Sequence, residues 1–201
     1  MTGKLIVFEG ANEVGKSTLA ALLFTDLRRR GVRCEHYAFP GNVAGTFGRH
    51  IYELHHGFRR FGINRINSTS LQMLHVAAHI DAIEDTIRPA IESGCVVLLD
   101  RFWWSTWVYG RASGADPTSI ESVINIERHH WRDIRPSVVY LVKRKVPVTP
   151  LYDSGEWNKV ADLYDGLAQR EKGSCPVEVI GNDGPIDETF ERLCSVTANF
   201  A

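Results

Sequence analysis

The sequence feature that most constrains the fold of this chain is a glycine-rich loop between a run of apolar residues and a helical pattern. The apolar run is Leu-Ile-Val-Phe at 5–8, and the loop from Gly10 to Thr18 reads Gly-Ala-Asn-Glu-Val-Gly-Lys-Ser-Thr. This order matches the G-x-x-x-x-G-K-[ST] spacing of phosphate loops. In such loops the backbone N–H groups and the following helix N-terminus bind phosphate oxygens. The motif therefore predicts that the chain binds the phosphates of a nucleotide.

The residues of this loop have separate predicted roles. Lys16 brings a mobile positive charge to the β- and γ-phosphates, and the hydroxyl of Ser17 is placed to bind Mg²⁺. We therefore expect Lys16 to act in catalysis and Ser17 to be a metal ligand. The predicted nucleotide-binding residues are Gly10, Asn12, Glu13, Val14, Gly15, Lys16, Ser17 and Thr18.

Composition narrows the class of protein further. The 201 residues carry a formal net charge of −1, which gives no overall attraction to nucleic acid or to a membrane. A local basic cluster, formed by Arg59, Arg60 and Arg65 with His55 and His56, leaves a nucleic-acid partner open. The four cysteines include no C-x-x-C pair, which argues against a zinc ribbon and a disulfide framework. With no signal-like segment and no apolar stretch of membrane length, we expect a cytoplasmic protein.

Strand and helix patterns alternate along the chain. Further strands are predicted at 32–39, 95–99, 138–142 and 177–180, and helical patterns at 44–56, 68–93, 119–131, 157–169 and beyond Pro185. The apolar runs at 95–99 and 138–142 are typical of strands that are buried on both faces of a parallel sheet. This order predicts one α/β domain over residues 1–201 with the P-loop NTPase fold, whose five-stranded parallel sheet has helices on both faces.

A second candidate anchor for a ligand stands at the end of the strand predicted at 95–99. Asp100 and Arg101 follow this strand directly, and ligands of open α/β sheets bind at that edge. Asp100 could hold the hydration shell of Mg²⁺ opposite Ser17, and Arg101 could bind a second phosphate through its two-pronged guanidinium. The alternative is that Asp100 caps a turn and Arg101 makes a surface ion pair.

Several motifs in a fixed order resemble those of the thymidylate kinase family of nucleoside monophosphate kinases. Besides the phosphate loop they are Phe8-Glu9-Gly10, Phe39-Pro40, Ile87-Arg88-Pro89-Ala90, Asp100-Arg101-Phe102, Ser105 with Tyr109, and Arg135-Pro136. The resemblance spans residues 4–142 and weakens afterwards.

This resemblance implies a reaction and its participants. Mg-ATP would be the donor, bound at the phosphate loop, and a nucleoside monophosphate, best represented by thymidine monophosphate, would be the acceptor. Arg101 would hold the acceptor phosphate and would act in catalysis together with Lys16 and Asp100. The family also implies a homodimer. The acceptor-binding residues that it suggests are Glu9, Phe39, Pro40, Arg49, His75, His79, Arg101, Ser105 and Tyr109.

The acceptor side departs from the family at the positions that would read the base. Where the family usually has a stacking Phe and a base-reading Arg, this chain has His75 and His79, and Gly110 replaces a Gln or Asn. We therefore expect thymidine monophosphate to be used less selectively than usual, since sites lose discrimination when hydrogen-bonding groups are lost. The i, i+4 histidine pair also suits a metal, but no third ligand is evident. Helical periodicity predicts a core face made of Met73, Val76, Ile80, Ile83 and Ile87, with the histidines together on a neighbouring face.

The basic triplet Lys143-Arg144-Lys145 leads into a segment rich in Pro, Asp, Ser and Gly. The family commonly has an arginine-bearing lid in this region, so we predict a short lid loop near 143–156 with Arg144 as its catalytic cation. The alternative is a solvated basic face.

Three other functions are alternatives to this kinase. A regulatory GTPase would need an N-K-x-D element, and the stretch from Asn158 to Asp162 has one residue too many. The altered acceptor side leaves open a non-catalytic ATP-binding relative of these kinases. A kinase of a modified nucleotide, or of a nucleotide within DNA, is a third hypothesis, in which Trp103, Trp104 and Trp107 would stack on bases.

Overall fold

The computed structural model describes residues 3–41, 43–149 and 153–197, and its centre is a five-stranded sheet. All neighbouring strands are parallel, in the order β2-β3-β1-β4-β5. The sheet and its parallel arrangement confirm the prediction from sequence. The strands are β1 (Lys4–Glu9), β2 (Cys34–Ala38), β3 (Val96–Asp100), β4 (Val138–Lys143) and β5 (Val177–Gly181).

Helices connect and cover the strands. Every residue of β3 is buried, and because successive side chains point to opposite faces, both faces of the sheet must be covered there. The helices are α1 (Lys16–Arg29), α2 (Phe47–Gly57), α3 (Ser68–Ala82), α4 (Arg88–Glu92), α5 (Trp103–Ala112), α6 (Pro117–Trp131), α7 (Ser154–Glu171) and α8 (Ile186–Thr197). No helix in the described ranges is long and apolar enough to cross a membrane.

The long helix predicted at 68–93 is divided in the structure. A π-helical turn, Ile83–Ile87, joins α3 to α4. The prediction that Met73 lies on the core face is wrong, because its side chain is 54% exposed. Val76, Ile83 and Ile87 are buried as predicted. Because α3 packs against both α2 and α6, Gln72, His75 and His79 are buried as well.

Helix α5 was not predicted from the sequence. Six of its ten residues are buried, and they are distributed around the helix, so the segment lacks the one-sided apolar pattern that marks a surface helix. The helix starts three residues after β3 ends, which places its first turn at the carboxyl edge of the sheet, beside the phosphate loop.

Candidate active site

The phosphate loop runs from the end of β1 to the start of α1, and two of its glycines are sterically required. Gly10 and Gly15 have φ angles of 139° and 91°, which side-chain-bearing residues rarely adopt. A Cβ on Gly10 would lie 2.3 Å from the carbonyl oxygen of Val142, and one on Gly15 would lie 2.4 Å from Nδ2 of Asn182. That amide donates to the carbonyl of Val14 and so fixes the loop against the end of β5. The loop is therefore held in one shape by its surroundings.

Lys16 is folded against its own loop. Its Nζ donates to the carbonyl oxygen of Ala11 at 2.6 Å, and the residue is 4% exposed. Burial, and then the positive charge of Arg101, lower the pKa of Lys16 to about 7. A phosphate at the loop would favour the charged form of this amine, because opposite charges in contact stabilise each other.

Ser17 and Asp100 meet across the edge of the sheet. The register of β1 and β3 pairs Phe8 with Asp100, and the Ser17 hydroxyl donates to Oδ2 of Asp100 at 2.5 Å. Oδ1 of Asp100 is buried and has no hydrogen-bond partner among the described residues. A hydroxyl and a carboxylate with a free oxygen fit Mg²⁺, which proteins bind through one or two carboxylates together with substrate phosphates and water. The described residues hold no cluster of three or more His, Cys, Asp or Glu that would form a self-sufficient metal site.

Arg101 spans the space between the phosphate loop and α5. Its guanidinium donates to Oδ1 of Asn12 and to Oγ of Ser105, the latter at 3.1 Å, and lies 5.4 Å from the ring centre of Tyr109. Its backbone has a φ of 73°, and its N–H donates to the carbonyl of Phe8. This geometry holds a cation beside the phosphate loop, where it can bind a second anion.

Glu9 is a buried anchor for α5. One of its oxygens accepts the N–H groups of Phe102 and Ser105 at 2.7 and 3.0 Å, and the other accepts the hydroxyls of Ser105 and Tyr164 at 2.8 and 2.9 Å. Burial raises the pKa of Glu9, against the opposing effects of the Arg101 charge and these hydrogen bonds. Glu9 does not line the cavity described below, so the geometry gives no support to its predicted contact with the acceptor.

Replacing Glu9 by glutamine should destabilise the fold. The amide NH₂ would face hydrogen-bond donors in a buried site, and an unsatisfied buried donor typically costs about 1–3 kcal/mol. Urea unfolding of the Glu9→Gln variant should show this loss in the free energy of unfolding. Glu53→Gln is a matched control, because Glu53 pairs with Arg49 on an exposed helix surface. Equal stabilities for the two variants would contradict the anchoring role.

A cavity of about 660 Å³ extends from the phosphate loop to α2 and α3. Seven of the predicted acceptor-binding residues line it, namely Phe39, Pro40, His75, His79, Arg101, Ser105 and Tyr109. It is also lined by residues that were not predicted for the acceptor site, namely Tyr52, His55, His56, Gln72, Thr106 and Val148. The positions 52, 55 and 56 have the i, i+3, i+4 spacing of one helix face, and that spacing could have marked them as a group.

The histidines of the cavity are tied into hydrogen-bonded pairs. Nε2 of His75 lies 3.1 Å from Nδ1 of His55, and burial lowers the pKa of both, that of His75 to about 2. His75 is therefore neutral near pH 7. Nδ1 of His79 donates to the buried carboxylate of Glu127 at 2.9 Å, while the ring of Phe39 stacks on His79 with centroids 3.9 Å apart. Two fixed imidazole rings thus form part of the cavity wall.

Two predicted site residues lie outside this cavity. Nη1 of Arg144 donates to the carbonyl of Asn182 at 2.5 Å and Nε to that of Val146 at 3.3 Å, so both contacts are to backbone carbonyls. Arg49 pairs with Glu53 at 2.7 Å on α2. This arrangement gives no support to a catalytic Arg144 or to an acceptor-binding Arg49, and both roles stay predictions.

Residues of the predicted lid segment contact Glu13 of the phosphate loop. The N–H of Val148 and the hydroxyl of Thr149 donate to the carbonyl and the carboxylate of Glu13, each at 3.0 Å. Nε1 of Trp157 donates to the carbonyl of Asn12 at 2.9 Å from the other side. Residues 150–152 of the predicted lid lie outside the described residues.

The tryptophans of α5 are structural. Trp103 and Trp104 are 4% and 0% exposed, and the guanidinium of Arg128 covers the ring of Trp103 at 4.0 Å. Nε1 of Trp107 donates to Glu121 at 2.6 Å. None of the three lines the cavity. Because Trp103 and Trp104 expose almost no ring surface, the hypothesis that they stack on bases is wrong.

The parallel sheet, the phosphate loop at its edge and the adjoining cavity together define a P-loop nucleotide-binding protein. A family model described as "Thymidylate kinase" matches residues 8–156. The chain therefore belongs to the thymidylate kinase family.

Individual relatives agree with this assignment. The thymidylate kinase of Rhizorhabdus wittichii is 35% identical over 127 residues, which cover 61% of this chain and 56% of the relative. The probable thymidylate kinase of Thermococcus gammatolerans is 30% identical over 169 residues, which cover 80% of this chain and 77% of the relative. The match therefore spans little more than half of the Rhizorhabdus protein's length.

A solved structure shares the fold. The crystal structure of thymidylate kinase from Ehrlichia chaffeensis superposes with a TM-score of 0.77 at 19% sequence identity. The match covers 98% of this chain and 99% of that one, so the P-loop kinase fold extends beyond the residues that the family model matches.

Proposed function

We propose that this protein transfers the γ-phosphoryl group of Mg-ATP to a deoxynucleoside monophosphate, with thymidine monophosphate as its preferred acceptor. One observation carries this proposal: a single cavity is lined by the phosphate loop with Lys16 and by Arg101. Two cationic groups in one cavity suit a reaction between two bound phosphates. A simple nucleotide sensor would need only the first of them.

The residues present suffice for the chemistry of phosphoryl transfer. This reaction depends on positioning and charge neutralisation more than on covalent help from the protein. Lys16 and the loop N–H groups would bind the donor phosphates, and Arg101 would orient the acceptor phosphate through a bidentate contact. The attacking phosphate oxygen is already ionised near pH 7, so the protein needs no general base.

Mg²⁺ would be held by Ser17 and Asp100, whose Oδ1 is free to accept it or its water shell. Bound there, the cation would neutralise charge on the donor phosphates. We further propose, from the family alone, a homodimer in the cytoplasm. Size-exclusion chromatography with light scattering would measure the dimer directly.

A coupled assay that detects ADP formation tests the function. Purified protein should consume Mg-ATP only when a monophosphate is added, fastest with thymidine monophosphate and more slowly with other deoxynucleoside monophosphates. An enzyme that binds ATP but phosphorylates none of the common monophosphates would contradict the proposal. It would favour a non-catalytic relative or a kinase of a modified acceptor.

Asp100→Asn should mainly change the dependence on Mg²⁺. The amide keeps the hydrogen bond from Ser17 but loses the negative charge, so half-maximal activity should require about tenfold more Mg²⁺, since one charge-assisted contact is weakened. The measurement is initial rate against free Mg²⁺ at saturating ATP. Asp162→Asn, an exposed change on α7, is the control. An unchanged Mg²⁺ dependence would remove Asp100 from the metal site.

A further inference from the structure

Gln72 on α3 is a buried side chain of the cavity wall whose amide has no partner. It is 5% exposed and lines the cavity, yet its side chain makes no hydrogen bond to any described residue. Of the polar side chains nearby, His75 is partnered by His55 and His79 by Glu127, whereas the buried hydroxyl of Tyr109 has no partner among the described residues. An amide that protein groups leave unpartnered usually bonds to water or to a ligand. The Gln72 amide is therefore available to a molecule in the cavity.

Gln72 packs closely against Gly110 on α5. A Cβ on Gly110 would lie 3.1 Å from Cγ of Gln72 and 2.8 Å from Cδ1 of Ile120. A side chain at position 110 would therefore displace the end of Ile120 and press on Gln72. The two helices thus fit so that the side chain from α3 occupies the space beside α5.

Gln72 also lies on the part of the cavity wall that α3 forms, beside two aromatic side chains. Gln72, His75 and His79 follow one another at i, i+3 and i+7 on the buried face of α3. The phosphate loop and Arg101 form other parts of the lining of the same cavity. An acceptor whose phosphate is bound by Arg101 would have α3 available for its base. His75 is neutral there, so the wall offers aromatic surface and hydrogen bonds rather than charge.

We propose that Gln72 is a specificity-determining residue of the acceptor site and reads a base edge on which an N–H stands beside a carbonyl. An amide carries one acceptor oxygen next to donor N–H groups, and it can pair with such an edge through two parallel hydrogen bonds. This inference rests on the proposed function. It adds a residue on α3 to the acceptor contacts and names the base edge that it recognises.

The test compares Gln72→Met with the parent protein on two acceptors, thymidine monophosphate and its 3-methyl analogue. Methionine keeps the length of the side chain and removes both hydrogen-bonding groups. For thymidine monophosphate, the Michaelis constant should rise about 10- to 100-fold, while that of ATP stays within about twofold, because only the acceptor loses contacts. The preference for the unmethylated acceptor, measured as a ratio of kcat/KM values, should fall by a similar factor.

Two further variants separate recognition from structure. Gln169→Met makes the same chemical change at an exposed position of α7 and should match the parent protein. Gln72→Glu keeps the shape but cannot donate while ionised, so it should also raise the acceptor Michaelis constant. If Gln72→Met does not fold, this variant and the analogue ratio decide the question.

The outcomes are distinguishable. If Gln72→Met, or Gln72→Glu in its place, keeps the parent's acceptor Michaelis constant and analogue preference, the inference is wrong while the proposed function stands. A parent protein that phosphorylates no monophosphate removes both, and that result appears before any variant is measured.

Discussion

Replacing Lys16 by alanine should lower the rate of phosphoryl transfer by about 10²–10³-fold, as expected when one preorganised charge is removed from a transition state. Within the described residues, the side chain of Lys16 makes one hydrogen bond, to the carbonyl of Ala11 in the same loop. The change therefore removes charge at the transferred group without removing a contact between helices and strands. The measurement is kcat in the coupled assay, together with a thermal melt.

Lys159→Ala provides a closely matched control. Its Nζ likewise donates to a backbone carbonyl, that of Ala112, but Lys159 lies on α7 and does not line the cavity. This variant should keep the parent's kcat. If Lys16→Ala also retains near-parental turnover, the loop is not catalytic and the kinase proposal must be abandoned.

Arg101→Ala should impair the acceptor far more than ATP. We expect the acceptor Michaelis constant to rise and kcat to fall, each about 10²-fold, because a bidentate contact that orients the acceptor phosphate is lost. ATP binding should change little. The Arg101 charge is one cause of the low pKa of Lys16, so its removal favours the charged lysine that binds the donor.

Two companion variants make the Arg101 result specific. Arg101→Lys keeps the charge but not the planar fork, and it should restore only part of the activity. Arg111→Ala removes another arginine of α5, one that lies over the ring of Trp107, and should leave the acceptor Michaelis constant unchanged. Equal weakening of ATP and acceptor by Arg101→Ala would instead place Arg101 on the donor side.

His75 and His79 show how much about the site could be predicted from residue type and spacing alone. Sequence placed His75 and His79 on one helix with acceptor-site spacing, and the structure brings both to the cavity wall. The hydrogen-bond partners of these two histidines are residues far away in the sequence. His55 lies 20 positions from His75, and Glu127 lies 48 positions from His79. No local sequence pattern indicates such distant partners. The burial and the tautomers of His75 and His79 could therefore not be predicted.

The order of elements, the parallel sheet and the phosphate loop could be predicted from the sequence because each depends on neighbouring residues. Apolar runs mark buried strands, and the spacing of Gly10, Gly15 and Lys16 fixes a loop whose own backbone binds phosphate. The apolar run at 95–99 likewise placed Asp100 and Arg101 at the carboxyl edge of β3.

What only the tertiary structure decided is which of the polar side chains face the cavity. Glu9 was predicted to contact the acceptor, but both of its carboxylate oxygens accept hydrogen bonds from buried N–H groups and hydroxyls. The guanidinium of Arg144 donates to the backbone carbonyls of Asn182 and Val146. Gln72 was not predicted as a site residue, because its place on the cavity wall depends on how α3 packs against α5 and α6. Hydrogen bonds and packing between segments that are distant in the sequence set these orientations. The sequence alone does not show which distant segments are in contact.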